Sequence, residues 1–126
     1  MRRKIILIDD SEIVREMLRA QLEDQGYEVI TLDNQFSLSQ VLGKEKPDLV
    51  LVDVGMPALA GDVLVRITNG YKGLHKCPMV LFSDRSTNEL SLLARDCGAA
   101  GFIRKTSDSQ LLARSIEKFL PKPARR

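Results

Sequence analysis

The sequence predicts an α/β fold, a three-layer sandwich in which helices cover both faces of a parallel sheet. Two observations predict it. Four short apolar runs each end in a polar residue: Ile5-Ile6-Leu7-Ile8 before Asp9-Asp10, Leu49-Val50-Leu51-Val52 before Asp53, Met79-Val80-Leu81-Phe82 before Ser83, and Gly101-Phe102-Ile103-Arg104 before Lys105. Runs this short and this apolar read as strands covered on both faces. Strand-like and helix-like segments also alternate about five times, as a parallel sheet with crossover helices requires.

Each element follows from local spacing. After Asp9-Asp10, apolar residues at 13, 14, 17, 18 and 22 keep helical spacing from Ser11, and Gly26 supplies the stop. Glu28 to Leu32 reads as a second strand. Ser37 to Leu42 reads as a short helix fading at Gly43, and Pro47 introduces the Leu49 strand. Gly61 opens a third helix through Val63, Leu64 and Ile67, ending near Gly70, with a loop from Tyr71 to Pro78. Ser86 or Thr87 can cap a fourth helix through Leu90, Leu93 and Ala94 to Gly98. Asp108 can cap a fifth, with Leu111, Leu112, Ile116, Phe119 and Leu120 on its buried stripe.

The 126 residues make one domain with room for a hydrophobic core, at an ordinary 44% apolar and 29% charged. No apolar run approaches the ~18 residues of a membrane span, and the start has no signal-peptide core, so a cytoplasmic protein is expected. Cys77 and Cys97 lack metal-like spacing and read as reduced thiols. A net charge of +2 is too small to indicate direct nucleic-acid binding. Residues 121–126, with Lys122, Arg125 and Arg126 broken by Pro121 and Pro123, read as a flexible basic tail or the stub of a linker. Met1 just ahead of the first strand fits a natural start.

In parallel α/β sheets, ligands bind outside the carboxyl ends of the strands. With the strands in the flavodoxin-like order 2-1-3-4-5, the switch point lies between the first and third strands, where Asp9-Asp10 and Asp53 stand. Three aspartates at one spot repel each other, and a hard divalent cation such as Mg2+ relieves the repulsion while keeping sites for phosphate oxygens. Lys105 can pair with a carboxylate and later with a phosphoryl oxygen, and Ser83 offers a hydroxyl to the same group. A carboxylate so placed can attack phosphorus. Taken singly, each residue has a plainer reading: a helix cap, a turn serine, a surface lysine. Their order along one sheet edge makes the site.

These residues resemble the receiver domain of two-component response regulators, including the single-domain chemotaxis type. The resemblance rests on Ile8-Asp9-Asp10-Ser11, on Asp48 through Asp53-Val54-Gly55-Met56-Pro57 with Gly61, on Leu81-Phe82-Ser83, and on Gly98-Ala99-Ala100-Gly101-Phe102-Ile103-Arg104-Lys105. It implies a receiver domain over residues 1–120 and five helices around the five-stranded sheet. It implies Asp53 as phosphoacceptor, Asp9 and Asp10 as the acid pair that holds Mg2+ (Asp10 directly, Asp9 largely through water), and the Gly55 carbonyl as a further metal ligand. Ser83 matches the switching hydroxyl, Lys105 the phosphoryl-binding lysine, and Phe102 the aromatic that changes rotamer with it. The implied partners are a sensor histidine kinase or phosphotransfer protein and a downstream target. The target would meet the fourth helix, fifth strand and fifth helix, with a phosphorylation-dependent homodimer as a further state. The role is that of a signalling phosphoacceptor rather than an enzyme.

The chain departs from that pattern at Asp84 and Thr106, where small residues and proline are usual, and Phe102 lacks the hydroxyl of the commoner tyrosine. Asp84 would either narrow phosphoryl access or point to solvent. Arg85 would either lie over the phosphoryl group as a lid or be drawn aside by Asp84. An alternative is a receiver-like interaction module with weak or unused phosphorylation. An aspartyl-phosphate phosphatase would need an acid two residues after Asp53, where Gly55 stands, and a flavin binder would need a phosphate-cradling loop in place of Asp9-Asp10-Ser11-Glu12.

Overall fold

A computed structural model of the chain describes residues 2–34, 37–55, 63, 65 and 77–120. Five strands, β1 (Lys4–Ile8), β2 (Glu28–Leu32), β3 (Leu49–Asp53), β4 (Met79–Ser83) and β5 (Gly101–Arg104), form one parallel sheet in the order β2-β1-β3-β4-β5. Four helices are delimited among the described residues: α1 (Glu12–Asp24), α2 (Leu38–Glu45), α3 (Thr87–Cys97) and α4 (Ser109–Glu117). Val63 and Val65 have helical backbone, and the rest of the helix expected from Gly61, like the tail 121–126, lies outside the described residues.

Strand periodicity explains why the runs are apolar at every position. Alternate side chains point to opposite faces, and both faces are covered. Ile6, Ile8, Val50, Val52 and Leu81 pack against Leu38 and Leu42 of α2, Val65, and Leu90 and Ala94 of α3. Ile5, Leu7, Leu49, Leu51, Val80 and Phe82 pack against Leu18 and Leu22 of α1 and Leu112 and Ile116 of α4.

The helix caps are local chemistry. The Ser11 side chain accepts from Val14 N–H, Ser86 from Glu89 N–H, and Asp108 from Gln110 and Leu111 N–H, each meeting first-turn donors left over by the helix. Gly98 closes α3 at φ +81°, a conformation that favours glycine.

One helix boundary and two helix faces differ from the expected pattern. Helix α2 runs through Gly43 to Glu45, because its C-terminus is closed by Lys46 rather than by the glycine. In α1, Ile13 is 81% and Met17 47% exposed, so the buried stripe narrows to Leu18 and Leu22. In α4, Leu111 is 48% exposed, and Phe119 and Leu120 pack from beyond the helix end. Cys97 is buried, and burial, followed by the charge of Asp48, pushes the Cys77 thiol up to about 11.

Phe119 accounts for the glycine that begins β5. A Cβ on Gly101 would stand 2.5 Å from Phe119 Cε1 and 2.6 Å from Cζ. Gly101→Ala is therefore expected to destabilise the fold by about 1–3 kcal/mol, the usual cost of overpacking. Adding Phe119→Leu should recover part of it, as the shift in urea midpoint will show.

Candidate functional site

The sheet order sets β1 between β2 and β3, and β4 between β3 and β5, so the carboxyl ends of β1, β3, β4 and β5 converge. Asp9 follows β1 and is fixed through three atoms. Its N–H donates to Leu32 O (3.1 Å), its Oδ1 accepts from Ser11 N–H (2.9 Å), and its carbonyl accepts from Arg15 Nη1 (2.8 Å). Asp9 is 1% exposed, whereas Asp10 is exposed. Asp53, the last residue of β3, is buried, and its Oδ1 accepts from Gly55 N–H at 3.2 Å. Lys105, one residue past β5, places Nζ 3.3 Å from Asp9 Oδ2 and 3.5 Å from Asp53 Oδ1, and 5.7 Å from the centre of the Phe82 ring.

Burial raises the Asp53 carboxyl above its ordinary range. The Gly55 N–H opposes that, the Asp9 charge adds to it, and Lys105 opposes it again. Burial pulls the Lys105 ammonium down, and the attraction of Asp53 and then Asp9 outweighs it, so the net direction is up. Asp9 Oδ2 is buried and stands at ion-pair distance from Lys105.

One oxygen from each of Asp9, Asp10 and Asp53 lies within 4.8 Å of the others. Three carboxylates gathered at one spot are a donor set suited to a hard divalent cation. A Cβ on Gly55 would stand 3.9 and 4.0 Å from the Asp53 oxygens, so the glycine leaves that side of the carboxylate uncovered.

Ser83 ends β4 and is buried, with its Oγ accepting from Arg85 N–H at 3.1 Å. Phe102 is half-buried on the face of the sheet that α2 and α3 cover. Of the seven residues singled out from sequence, Asp9, Asp10, Asp53, Gly55, Ser83 and Lys105 fall at or beside this edge, whereas Phe102 pairs with Leu81, two positions short of it. Asp84 and Arg85 are both exposed, and no ion pair joins them. No cis peptide bond occurs among the described residues, so Lys105–Thr106 is trans, and Thr106 Oγ1 accepts from Asp108 N–H.

Three residues at the edge escaped the sequence reading: Arg15 on the Asp9 carbonyl, Gln21 donating to Ser107 O (3.0 Å), and Arg104 donating to Arg85 O (3.1 Å). Arg15 and Gln21 are both half-buried on α1, but six residues apart they lie on different flanks of the helix.

A doubly covered parallel sheet with an acid pair, a strand-end aspartate, a hydroxyl and a lysine at its carboxyl edge defines the class, and the comparisons agree. The family model of the response regulator receiver domain matches residues 5–117. The chain belongs to that family, the receiver domains of two-component systems. It is 26% identical to protein PilH of Pseudomonas aeruginosa over 93% of this chain and 97% of that protein. It is 36% identical to the transcription regulator BvgA of Bordetella pertussis, over 83% of this chain and 50% of BvgA. It is 28% identical to the regulatory protein KdpE of Mycobacterium tuberculosis over 80% of this chain, which spans only 43% of KdpE. Among solved structures, the BeF3-activated receiver domain of Klebsiella pneumoniae RstA superposes with a TM-score of 0.81 at 26% identity, covering 95% of this chain and all of that one. The chemotaxis protein CheY4 of Vibrio cholerae gives 0.81 at 25% over the same spans. No helix among the described residues is long and apolar enough to cross a membrane.

Proposed function

We propose that residues 1–120 form a phosphoacceptor receiver domain in which Asp53 takes a phosphoryl group in a Mg2+-dependent reaction. The observation that carries this is the Asp53 carboxylate, buried within reach of both an acid pair and a lysine. Both the Gly55 and Lys105 contacts fall on Oδ1, so Oδ2 is assigned as nucleophile. It forms the new P–O bond while the bond from phosphorus to the donor's leaving group breaks.

Asp10, Asp53, the Gly55 carbonyl and, largely through water, Asp9 would hold Mg2+. That ion supplies charge neutralisation and a ligand position for a phosphoryl oxygen. Lys105 exchanges a carboxylate for a phosphoryl oxygen as the charge arrives, and the Ser83 hydroxyl turns to donate to the same group. Phe102 turns into the space Ser83 leaves, by packing alone. The switch shifts an existing equilibrium rather than making a new fold.

The donor is a sensor histidine kinase or phosphotransfer protein in the cytoplasm. The surface that changes is α3, β5 and α4, which binds the downstream target or a second copy of the chain. Incubation with Mg2+ and a small phosphodonor is expected to add ~80 Da, one phosphoryl group, and Asp53→Asn to take none. A wild-type chain without the adduct would return the protein to the reading as an interaction module.

A further inference from the structure

We infer that Arg104 is a positioning residue for the Ser83 hydroxyl, holding the turn after β4 in the arrangement that commits this hydroxyl to the turn itself. The proposal rests on reading Ser83 as the hydroxyl that follows phosphorylation of Asp53. Parallel pairing of β4 and β5 sets Arg104 beside Ser83, and the next N–H, of Lys105, donates to Ser83 O at 2.9 Å. Partners in register point to the same face of a sheet, so the guanidinium rises on the side of Ser83.

There Arg104 Nε donates to the carbonyl of Arg85 at 3.1 Å, while the N–H of the same residue donates to Ser83 Oγ at 3.1 Å. Arg85 is thus held at both ends, by Ser83 through its N–H and by Arg104 through its C=O. Turning Ser83 toward a phosphoryl group breaks the first bond. While Arg104 grips the carbonyl, the Arg85 N–H cannot follow the hydroxyl or readily find another acceptor, so the grip opposes the turn.

The latch is also reachable from outside. Arg104 lines a cavity of about 270 Å³ with Phe102, Leu111, Lys118 and Phe119, on the face proposed to meet the downstream target. Contact there and release of the turn involve one side chain.

The test uses the full chain as Arg104→Met, which keeps the stem without a donor, and Arg104→Lys, which restores one. The site of change is exposed, and unchanged amide shifts in β1 and β3 will verify the fold. Without phosphodonor, hydrogen exchange at the Arg85 amide is expected to rise about 3- to 10-fold in Arg104→Met, the factor for losing one such bond, with partial return in Arg104→Lys. With Mg2+ and acetyl phosphate, the Met variant should acquire the adduct faster by a similar factor. Unchanged Arg85 exchange overturns the latch, and so does faster exchange with unchanged or slower phosphorylation. A wild-type chain that takes no adduct refutes the phosphoacceptor reading instead, which the donor-free exchange does not touch.

Discussion

Lys105→Met is expected to slow phosphorylation of Asp53 by about two orders of magnitude and, without metal, to destabilise the fold by about 1–3 kcal/mol. The kinetic part follows from charge. Lys105 is the cation 3.5 Å from Asp53 Oδ1, and removing one preorganised donor from developing charge typically costs 10²–10³ in rate. The stability part follows from burial. Asp9 and Asp53 would face each other after losing their shared partner. Breaking a fully buried pair costs about 3–5 kcal/mol, and the figure is lowered here because the Lys105 side chain keeps 21% exposure. The sign against pH is fixed by the upward direction for Lys105. Its contribution is complete below the unfolded lysine value of about 10.4 and is lost as pH rises through the higher folded value. The Met variant should lack that alkaline loss. Mass-spectrometric time courses and urea unfolding with and without Mg2+ check both parts, and a variant phosphorylated at the wild-type rate would remove Lys105 from the chemistry.

Sheet order and site edge were legible because both depend on periodicity and strand ends. Runs such as Leu49–Val52, short and apolar at each position, read as doubly covered strands, and the polar residue after each run marks the carboxyl edge. Exposure along the helices was less legible. Ile13 and Met17 satisfy helical spacing as well as Leu18 does, and only the direction from which the sheet approaches α1 decides which of them is buried. The unequal burial of Asp9 and Asp10 was equally hidden. Adjacent aspartates look alike in sequence, but the strand's alternation turns one into the edge and leaves the other in solvent. Arg15, Gln21 and Arg104 act through backbone carbonyls, and a carbonyl acceptor leaves no residue-specific trace in a sequence.

Asp53→Asn should leave the metal-free protein more stable than wild type, by about 0.5–2 kcal/mol, the usual gain when a strained functional site is relieved. The Asp53 carboxyl is raised by burial and by Asp9, so the folded state holds its proton to higher pH than the unfolded chain does. A group of this kind favours folding most below the unfolded value of about 3.9, and that advantage disappears as pH rises through the folded value. At neutral pH the ionised carboxylate therefore works against the fold, and asparagine removes that opposition while keeping the shape. Mg2+ should reverse the ranking. A ligand present at about 100 times its dissociation constant stabilises the folded state by about 2.7 kcal/mol, and the variant, deprived of one carboxylate of the cluster, should forfeit most of that gain. Asp10→Asn should forfeit it as well, with a more than tenfold loss of Mg2+ affinity, since losing even an outer-shell partner costs about 10–100-fold. Because Asp10 is exposed, its substitution should not raise metal-free stability as that of Asp53 does. Thermal unfolding of the three proteins across a Mg2+ titration separates these outcomes. Equal Mg2+ shifts in wild type and both variants would place the metal elsewhere, and a metal-free Asp53→Asn that melts below wild type would show that Asp53 is held by attraction rather than opposed by burial.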